Sequence, residues 1–321
     1  MIHCKEVSFV ILNYNGMEFL ETCLNSVQKA IEWERVDHEV IVVDNGSTDG
    51  SVAFIKEVFP FVTIVSLPEN QFVTAYNEGF SASTKDICIF LNNDMIVEKD
   101  FLPPLLIHFK DGSVFSVGPM ILQWGGQPKH SGVGKSEGSF SFGYFRARGI
   151  TYKEMQEKGF LERPSYSLHI GAGAYDRKKY MEIGGLDSLF QPCYWEDVDL
   201  SFRAWRRGWQ VIFEPKSVIH HKHQGTTSKL FTRNKLRRIM GKNRHLLIWK
   251  NGLEGWGTYF LFLPLRLFVP LLKGDGGPLC AFMDAFRDRR VAWDRRKKED
   301  GMAQVSHSEI WARSRRNQIT P

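Results

Sequence analysis

Apolar and polar positions fall into regular blocks over the first hundred residues. Val7–Leu12 is a continuous apolar run with β-branched members, the pattern of a strand covered on both faces. Over Glu18–Ala30 the residues Phe19, Leu20, Cys23, Leu24 and Val27 recur at helical spacing. Glu39–Val43 predicts a second buried strand, stopped by Asp44-Asn45-Gly46. Ser51–Phe59 predicts a helix, Val62–Ser66 a strand, Thr74–Ser83 a helix and Asp86–Leu91 a fourth strand. Strands that are apolar throughout and separated by helices predict an α/β fold: a mostly parallel central sheet with helices on both faces. Ligands of such sheets bind beyond the carboxyl ends of the strands.

The middle of the chain is less periodic. Gln123–Arg148, rich in Gly, Ser and aromatics, reads as loop with short strands. Trp195–Arg207 reads as a helix with an acidic first turn, and Gln210–Phe213 and Val218–His221 as short extended segments. From Lys229 the pattern is helical and basic, then greasy, then basic again.

Charge sharpens that division. The formal net charge is +6, yet residues 229–321 hold 20 basic and 8 acidic side chains, a net of +12. The preceding residues are therefore net −6, an acidic body with a basic tail. The five cysteines are scattered and form no CxxC pair, so a reducing compartment is expected. No signal peptide is expected, and Tyr259–Leu272, 14 residues interrupted by Pro264, Arg266 and Pro270, is shorter than the roughly 20 residues of a bilayer span.

Polar residues follow the predicted strands: Asn13-Tyr14-Asn15-Gly16 after the first, Asp44 after the second, Asn92-Asn93-Asp94 after the fourth. No GxGxxG or GxxxxGK[ST] motif is present, so a phosphate-bearing ligand needs other partners. One carboxylate at a strand end can accept bonds from a base or ribose, and a second can hold a divalent cation against a diphosphate. Without a family register, Ser47 and Asp49 read equally as turn or helix-cap residues, and Glu196, Asp197 and Asp199 as an acidic first turn.

Several segments occurring in order carry a resemblance: VSFVILNYNG, VIVVDNGSTDGS, Asn70 through Gly79, FLNND, GAGAYDRKKYMEIGGLD and WEDVDLSFRAWRRGWQVIFEPKSVIHH. Together they resemble the inverting glycosyltransferase family 2, with its GT-A fold, over about residues 7–235, and most of all its rhamnosyltransferase-like branch. The resemblance implies a sugar transferred from a nucleoside-diphosphate donor to an acceptor hydroxyl with inversion, with Mg²⁺ or Mn²⁺, in bacterial surface polysaccharide or lipid-linked glycan synthesis. It implies donor contacts at Asn13, Tyr14, Asn15, Asp44, Ser47, Asn77 and Asn92, and metal ligands at Asp94 and His221. It puts the general base at Asp197 with Glu196 beside it, and the acceptor at Gly171, Ala172, Gly173 and Trp195. For Trp195 and Tyr194, sugar stacking and core packing are equal alternatives. His223 is a further candidate ligand, and Gln224–Ser228 resembles a loop closing over the diphosphate.

The expected organisation is thus a catalytic domain at 1–228 and a basic helical extension at 229–321. Basic blocks flanking a greasy, non-spanning run describe a membrane-surface anchor. That suits a saccharide or lipid-linked saccharide acceptor and a cytoplasmic enzyme peripheral to the inner face of the plasma membrane. No motif supports nucleic-acid binding. The rival readings are a sugar-nucleotidyltransferase and a non-catalytic nucleotide-sugar binder.

Overall fold

The computed structural model describes residues 6–35, 37–125, 134–222, 230–252, 256–316 and 319. The strands are β1 (Val7–Asn13), β2 (Glu39–Asp44), β3 (Thr63–Ser66), β4 (Ile87–Asn92), β5 (Met95–Val97), β6 (Val114–Gln123), β7 (Ser136–Ser141), β8 (Tyr144–Gly149), β9 (Ser165–Tyr166), β10 (Gly173–Asp176) and β11 (Gln210–His221). The helices are α1 (Met17–Glu34), α2 (Ser51–Val58), α3 (Tyr76–Ala82), α4 (Leu102–Leu106), α5 (Tyr152–Glu157), α6 (Arg177–Glu182), α7 (Glu196–Arg206), α8 (Arg233–Asn251), α9 (Trp256–Leu272), α10 (Gly277–Arg287), α11 (Arg289–Asp300) and α12 (His307–Ser314).

The main sheet runs β3-β2-β1-β4-β10-β6-β11-β5, with β9 alongside β11. β1 to β4, β6 and β11 share one direction, while β5, β9 and β10 run against it. The apolar runs predicted this: Val7, Phe9, Val10 and Ile11 of β1 are all fully buried, as are Ile41 to Val43 of β2. On α1 the predicted stripe of Phe19, Leu20, Cys23, Leu24 and Val27 is the buried face.

One expectation gains detail and another changes. The Gly- and aromatic-rich stretch contains a regular antiparallel hairpin, β7–β8, in register from Ser136–Gly149 to Ser141–Tyr144. The two short segments after α7 are one strand, β11, whose register against β6 slips between Glu214 and Val218. Pro215 stands in that slip and cannot donate to the ladder, which is why the strand read as broken.

Parallel pairing sends the carboxyl ends of β1, β2, β4 and β11 to one edge. α7 leads into β11 and returns the chain across the sheet, so its N-terminus reaches that same edge. The reversed β10 starts there too. The C-terminal helices share the main core: Leu246, Leu247 and Ile248 of α8, Ala285, Ala292 and Ile310 are buried in the cluster that contains β1.

Candidate active site

The first strand-end loops form a hydrogen-bonded lattice. Asn13, buried at the end of β1, donates from Nδ2 to Asp44 Oδ1 and Ser47 Oγ, each at 3.2 Å. Asn93 donates to Asn13 Oδ1 at 2.7 Å, and Ser47 N donates to Asp44 Oδ2 at 3.2 Å. A Cβ on Gly16 would sit 1.8 Å from Asn93 Nδ2, so the lattice closes only with glycine there. Ser47 Oγ also accepts from Asn15 N at 2.9 Å, and Asn15 Oδ1 accepts from Thr48 N at 2.7 Å. Asp49 accepts from Met17 N and Ser51 N, fastening the starts of α1 and α2. Ser47 and Asp49 therefore lock the turns, and Asp44 is the carboxylate held at the centre. Tyr14, half-buried, and Asn15, exposed, lie on the rim. A carboxylate has about four acceptor sites, so Asp44 keeps capacity for a ligand.

A cleft of about 210 Å³ opens beside this lattice. Asn92, His221, Gly171, Ala172, Glu196 and Asp197 line it. Asn92 Oδ1 accepts from Tyr76 OH at 2.8 Å. Asp94 is buried, and its Oδ1 lies 3.1 Å from His221 Nε2. Two donors bound to one ion at about 2.1 Å and at right angles lie about 3 Å apart, so this pair fits a divalent cation. Among the described residues no group of three or more His, Cys, Asp or Glu could hold a metal, so the remaining positions would fall to ligand oxygens and water. His220 points elsewhere and meets Glu98 Oε1 at 2.6 Å. His223 and Gln224–Ser228 lie outside the described residues.

Asp197 stands at the second position of α7, where the helix dipole favours its charge. Its Oδ1 accepts from Val198 N at 2.8 Å. Its Oδ2 lies 3.5 Å from His169 Nε2. A Cβ on Gly171 would come within 3.7 Å of that same oxygen. Glu196 is different. The residue is partly exposed, yet its Oε2 is buried and has no hydrogen-bond partner among the described residues. Burial, then the neighbouring Asp197 charge, pushes it up to about 8. Near neutral pH Glu196 therefore keeps its proton.

Three expected ligand residues make contacts within the fold. Asn77 takes bonds from Tyr180 OH at 2.7 Å and Leu186 N at 2.9 Å, and donates to Leu186 O at 2.9 Å. It splints α3 to the turn at Gly185, which has φ +61° and no room for a Cβ beside Asn77 Oδ1. Trp195 is buried; its Nε1 donates to Met240 O at 3.0 Å and its ring faces Arg244, so core packing wins over sugar stacking. Gly173 starts β10 at φ +140°, where a Cβ would strike Val117 O, so its role is close strand packing.

Sequence reasoning missed two groups. His169, in the same segment as Gly171 and Ala172, was passed over because a lone histidine carries no spacing signal. The other is α8. Its Asn243 Nδ2 faces the carbonyls of Phe190, Cys193 and Tyr194 at 2.6, 2.9 and 3.0 Å. Tyr194 and Trp195 have φ of 72° and 79°, a conformation that side chains other than glycine rarely take, and α8 holds it. Lys250 Nζ, buried, donates to Asp187 Oδ2 at 2.6 Å and Asp199 Oδ2 at 2.7 Å, while Arg203 and Asn251 complete the shell of Asp199. Burial opposes the charge of Asp199, but Lys250 and Arg203 outweigh it and hold the carboxyl below its usual range. Asp199 is thus the anchor of α7, facing away from the cleft.

Residues 8–165 match the family model described as Glycosyl transferase family 2. This stretch, just under half of the chain, is similar to glycosyl transferase family 2. The match ends before Asp197 and His221, whose place in the site rests on the cleft. Among curated relatives, N-acetylgalactosaminyltransferase 6 of Drosophila melanogaster is 26% identical over 68% of this chain and 34% of its own. An undecaprenyl-phosphate 4-deoxy-4-formamido-L-arabinose transferase of Pseudomonas fluorescens is 30% identical over 35% of this chain and 34% of its own. The chain spans about a third of the length of these relatives, as those shares state. A mannosyltransferase from Pyrobaculum calidifontis, solved with GDP-Man and Mn²⁺, superposes with TM-score 0.55 at 15% identity, over 97% of this chain and 84% of its own. The GT-A fold expected of this family is the fold present here. The narrower rhamnosyltransferase-like placement gains no support, since these relatives carry other sugars in their names.

Proposed function

We propose that the chain transfers a sugar from a nucleoside-diphosphate sugar to an acceptor hydroxyl, with inversion at the anomeric carbon. The observation that carries this is one cleft joining Asp197 and Glu196 to Asn92 and His221, with Asp94 paired to His221, at the carboxyl edge of a family 2 sheet. The lattice around Asp44 and Asn13 is the place for the nucleoside, through hydrogen bonds to its base and ribose. Asp197 Oδ2 takes the proton from the acceptor hydroxyl. The hydroxyl oxygen forms the new bond to the anomeric carbon as the bond to the diphosphate oxygen breaks, the electron pair leaving with the diphosphate. Glu196, neutral near pH 7, offers no second carboxylate nucleophile, which supports a single displacement and hence inversion. Asp94 and His221 would hold Mg²⁺ or Mn²⁺, whose charge offsets that of the diphosphate.

The acceptor we favour is a lipid-linked saccharide of a bacterial surface or lipid-linked glycan route, with the protein peripheral to a membrane. Two observations support this. The name of the Pseudomonas relative contains a lipid phosphate. On α9, Leu261, Leu265 and Leu272 are 68%, 58% and 86% exposed, while Tyr259 and Leu267 pack inward. Among the described residues no helix is long and apolar enough to cross a membrane. We place the catalytic unit at 1–228, with 229–321 bracing α7 and offering that apolar face.

A donor screen tests the function: release of free nucleoside diphosphate from a panel of nucleotide sugars, with Mg²⁺, Mn²⁺ or chelator. Cation-dependent release from at least one donor, raised by an acceptor, is expected. Pyrophosphate release from a nucleoside triphosphate and sugar phosphate, with no turnover of any nucleotide sugar, would overturn it.

A further inference from the structure

The environment of Asp197 contains one more side chain that the chemistry above has not used. His169 lies between β9 and β10, with its ring Nε2 at 3.5 Å from Asp197 Oδ2 and its Nδ1 at 2.9 Å from Ser136 Oγ. Ser136 holds the ring and the backbone of His169 from the Nδ1 side. Ser136 Oγ accepts from the His169 backbone N–H at 3.1 Å. The His169 carbonyl already accepts from Ser167 Oγ at 2.8 Å, and Ser167 Oγ accepts from Ser136 N at 3.0 Å. Ser136 Oγ stands 3.0 Å from the His169 carbonyl and 2.9 Å from Nδ1, so its hydroxyl can donate to either. Nε2 faces Asp197 Oδ2, an oxygen that accepts, so a proton on Nε2 is the arrangement that lets the two groups meet.

We infer that His169, fixed by Ser136, is a positioning residue for the Asp197 base. This rests on the glycosyl-transfer reading above. Asp197 Oδ1 is occupied by Val198 N, so Oδ2 is the oxygen left for the acceptor hydroxyl. The Nε2–H of His169 orients that oxygen beside Glu196. At 3.5 Å the contact is long for a hydrogen bond; such contacts shorten when the reacting group arrives. The same three residue types would make a hydrolytic triad, but Ser136 is 3% exposed and out of reach of any substrate. Its hydroxyl is a strut, and no covalent step passes through it.

The test compares His169→Ala, His169→Gln and Ser136→Ala with the wild type on a donor that the wild type turns over. Alanine at 169 is expected to lower kcat roughly 10- to 100-fold, a part of the about 10²–10⁴-fold available to general-base catalysis, with the donor KM unchanged. Glutamine, which can present an N–H where Nε2 stood, is expected to recover most of kcat, and Ser136→Ala to fall between. A structural role alone would lower thermal stability and leave kcat per folded molecule unchanged in all three, which would overturn the inference. A second reading is independent of turnover: the ¹⁵N resonances of His169, assigned by their loss in His169→Gln, should show a protonated Nε2. A bare Nε2 contradicts the inference. If the wild type turns over no nucleotide sugar, the transfer reading fails with it; if only the variants behave as wild type, this inference alone fails.

Discussion

Replacing Glu196 with glutamine separates the two adjacent acids. The Glu196 Oε2 is buried without a partner, and burial with the Asp197 charge raises its pKa from the ordinary 4.5 to about 8. The unfolded chain releases this proton near its ordinary pKa, so between those two values the folded state binds more protons. Stability therefore falls as pH rises across that window: the contribution is whole below the unfolded pKa and is lost by the folded one. At about 1.4 kcal/mol per pH unit, the window amounts to on the order of 5 kcal/mol, and rather less if water enters as the group ionises. Glutamine cannot titrate and resembles the protonated acid in shape and neutrality. Urea unfolding of both proteins across about pH 5 to 8.5 should show the variant gaining on the wild type by several kcal/mol towards the alkaline end. Initial rates at neutral pH should stay within about threefold of wild type, because Asp197 still supplies the base. Parallel stability curves would refute the proton assignment. A glutamine variant as inactive as an Asp197 variant would refute the division of labour.

Two further outcomes follow from the C-terminal helices. Lys250→Met removes one cation from the buried Asp187–Lys250–Asp199 cluster and should cost about 3 kcal/mol or more in chemical denaturation, while Lys298→Met, on a more open stretch of α11, should cost under about 0.5 kcal/mol. Equal midpoints for the two would contradict the bracing of α7 by α8. The double variant Leu261→Asp and Leu265→Asp should stay folded and lose most binding to vesicles of mixed phosphatidylcholine and phosphatidylserine in a flotation assay, and wild-type flotation by that variant would exclude α9 as the contact.

Much of the fold was legible because buried parallel strands leave unmistakable apolar runs. Val7–Leu12 and Glu39–Val43 were readable without partners, and so was the α1 stripe. The strand-end rule also pointed to the sheet edge where Asp44 and Asn92 stand. What escaped depended on long-range contacts. β11 read as two pieces because its bulge surrounds Pro215. Asn77 and Trp195 sit in the right motifs but spend their hydrogen bonds on Leu186, Tyr180 and Met240, partners distant in sequence. His169 meets Asp197 across 28 residues, and Lys250 meets Asp199 across 51. The net charge of the tail drew attention to its exposed residues. It concealed Lys250 and Asn243, which face inward and hold the loop leading to the two acids.

We propose that Asp197 is the base of the sugar transfer and that the donor binds independently of its charge. Asp197→Asn keeps the size of the side chain and removes the charge. With the donor identified by the screen, calorimetry should give a donor Kd within about threefold of wild type, while transfer to the acceptor falls by roughly 10²–10⁴-fold. Transfer at the wild-type rate by this variant would contradict the claim.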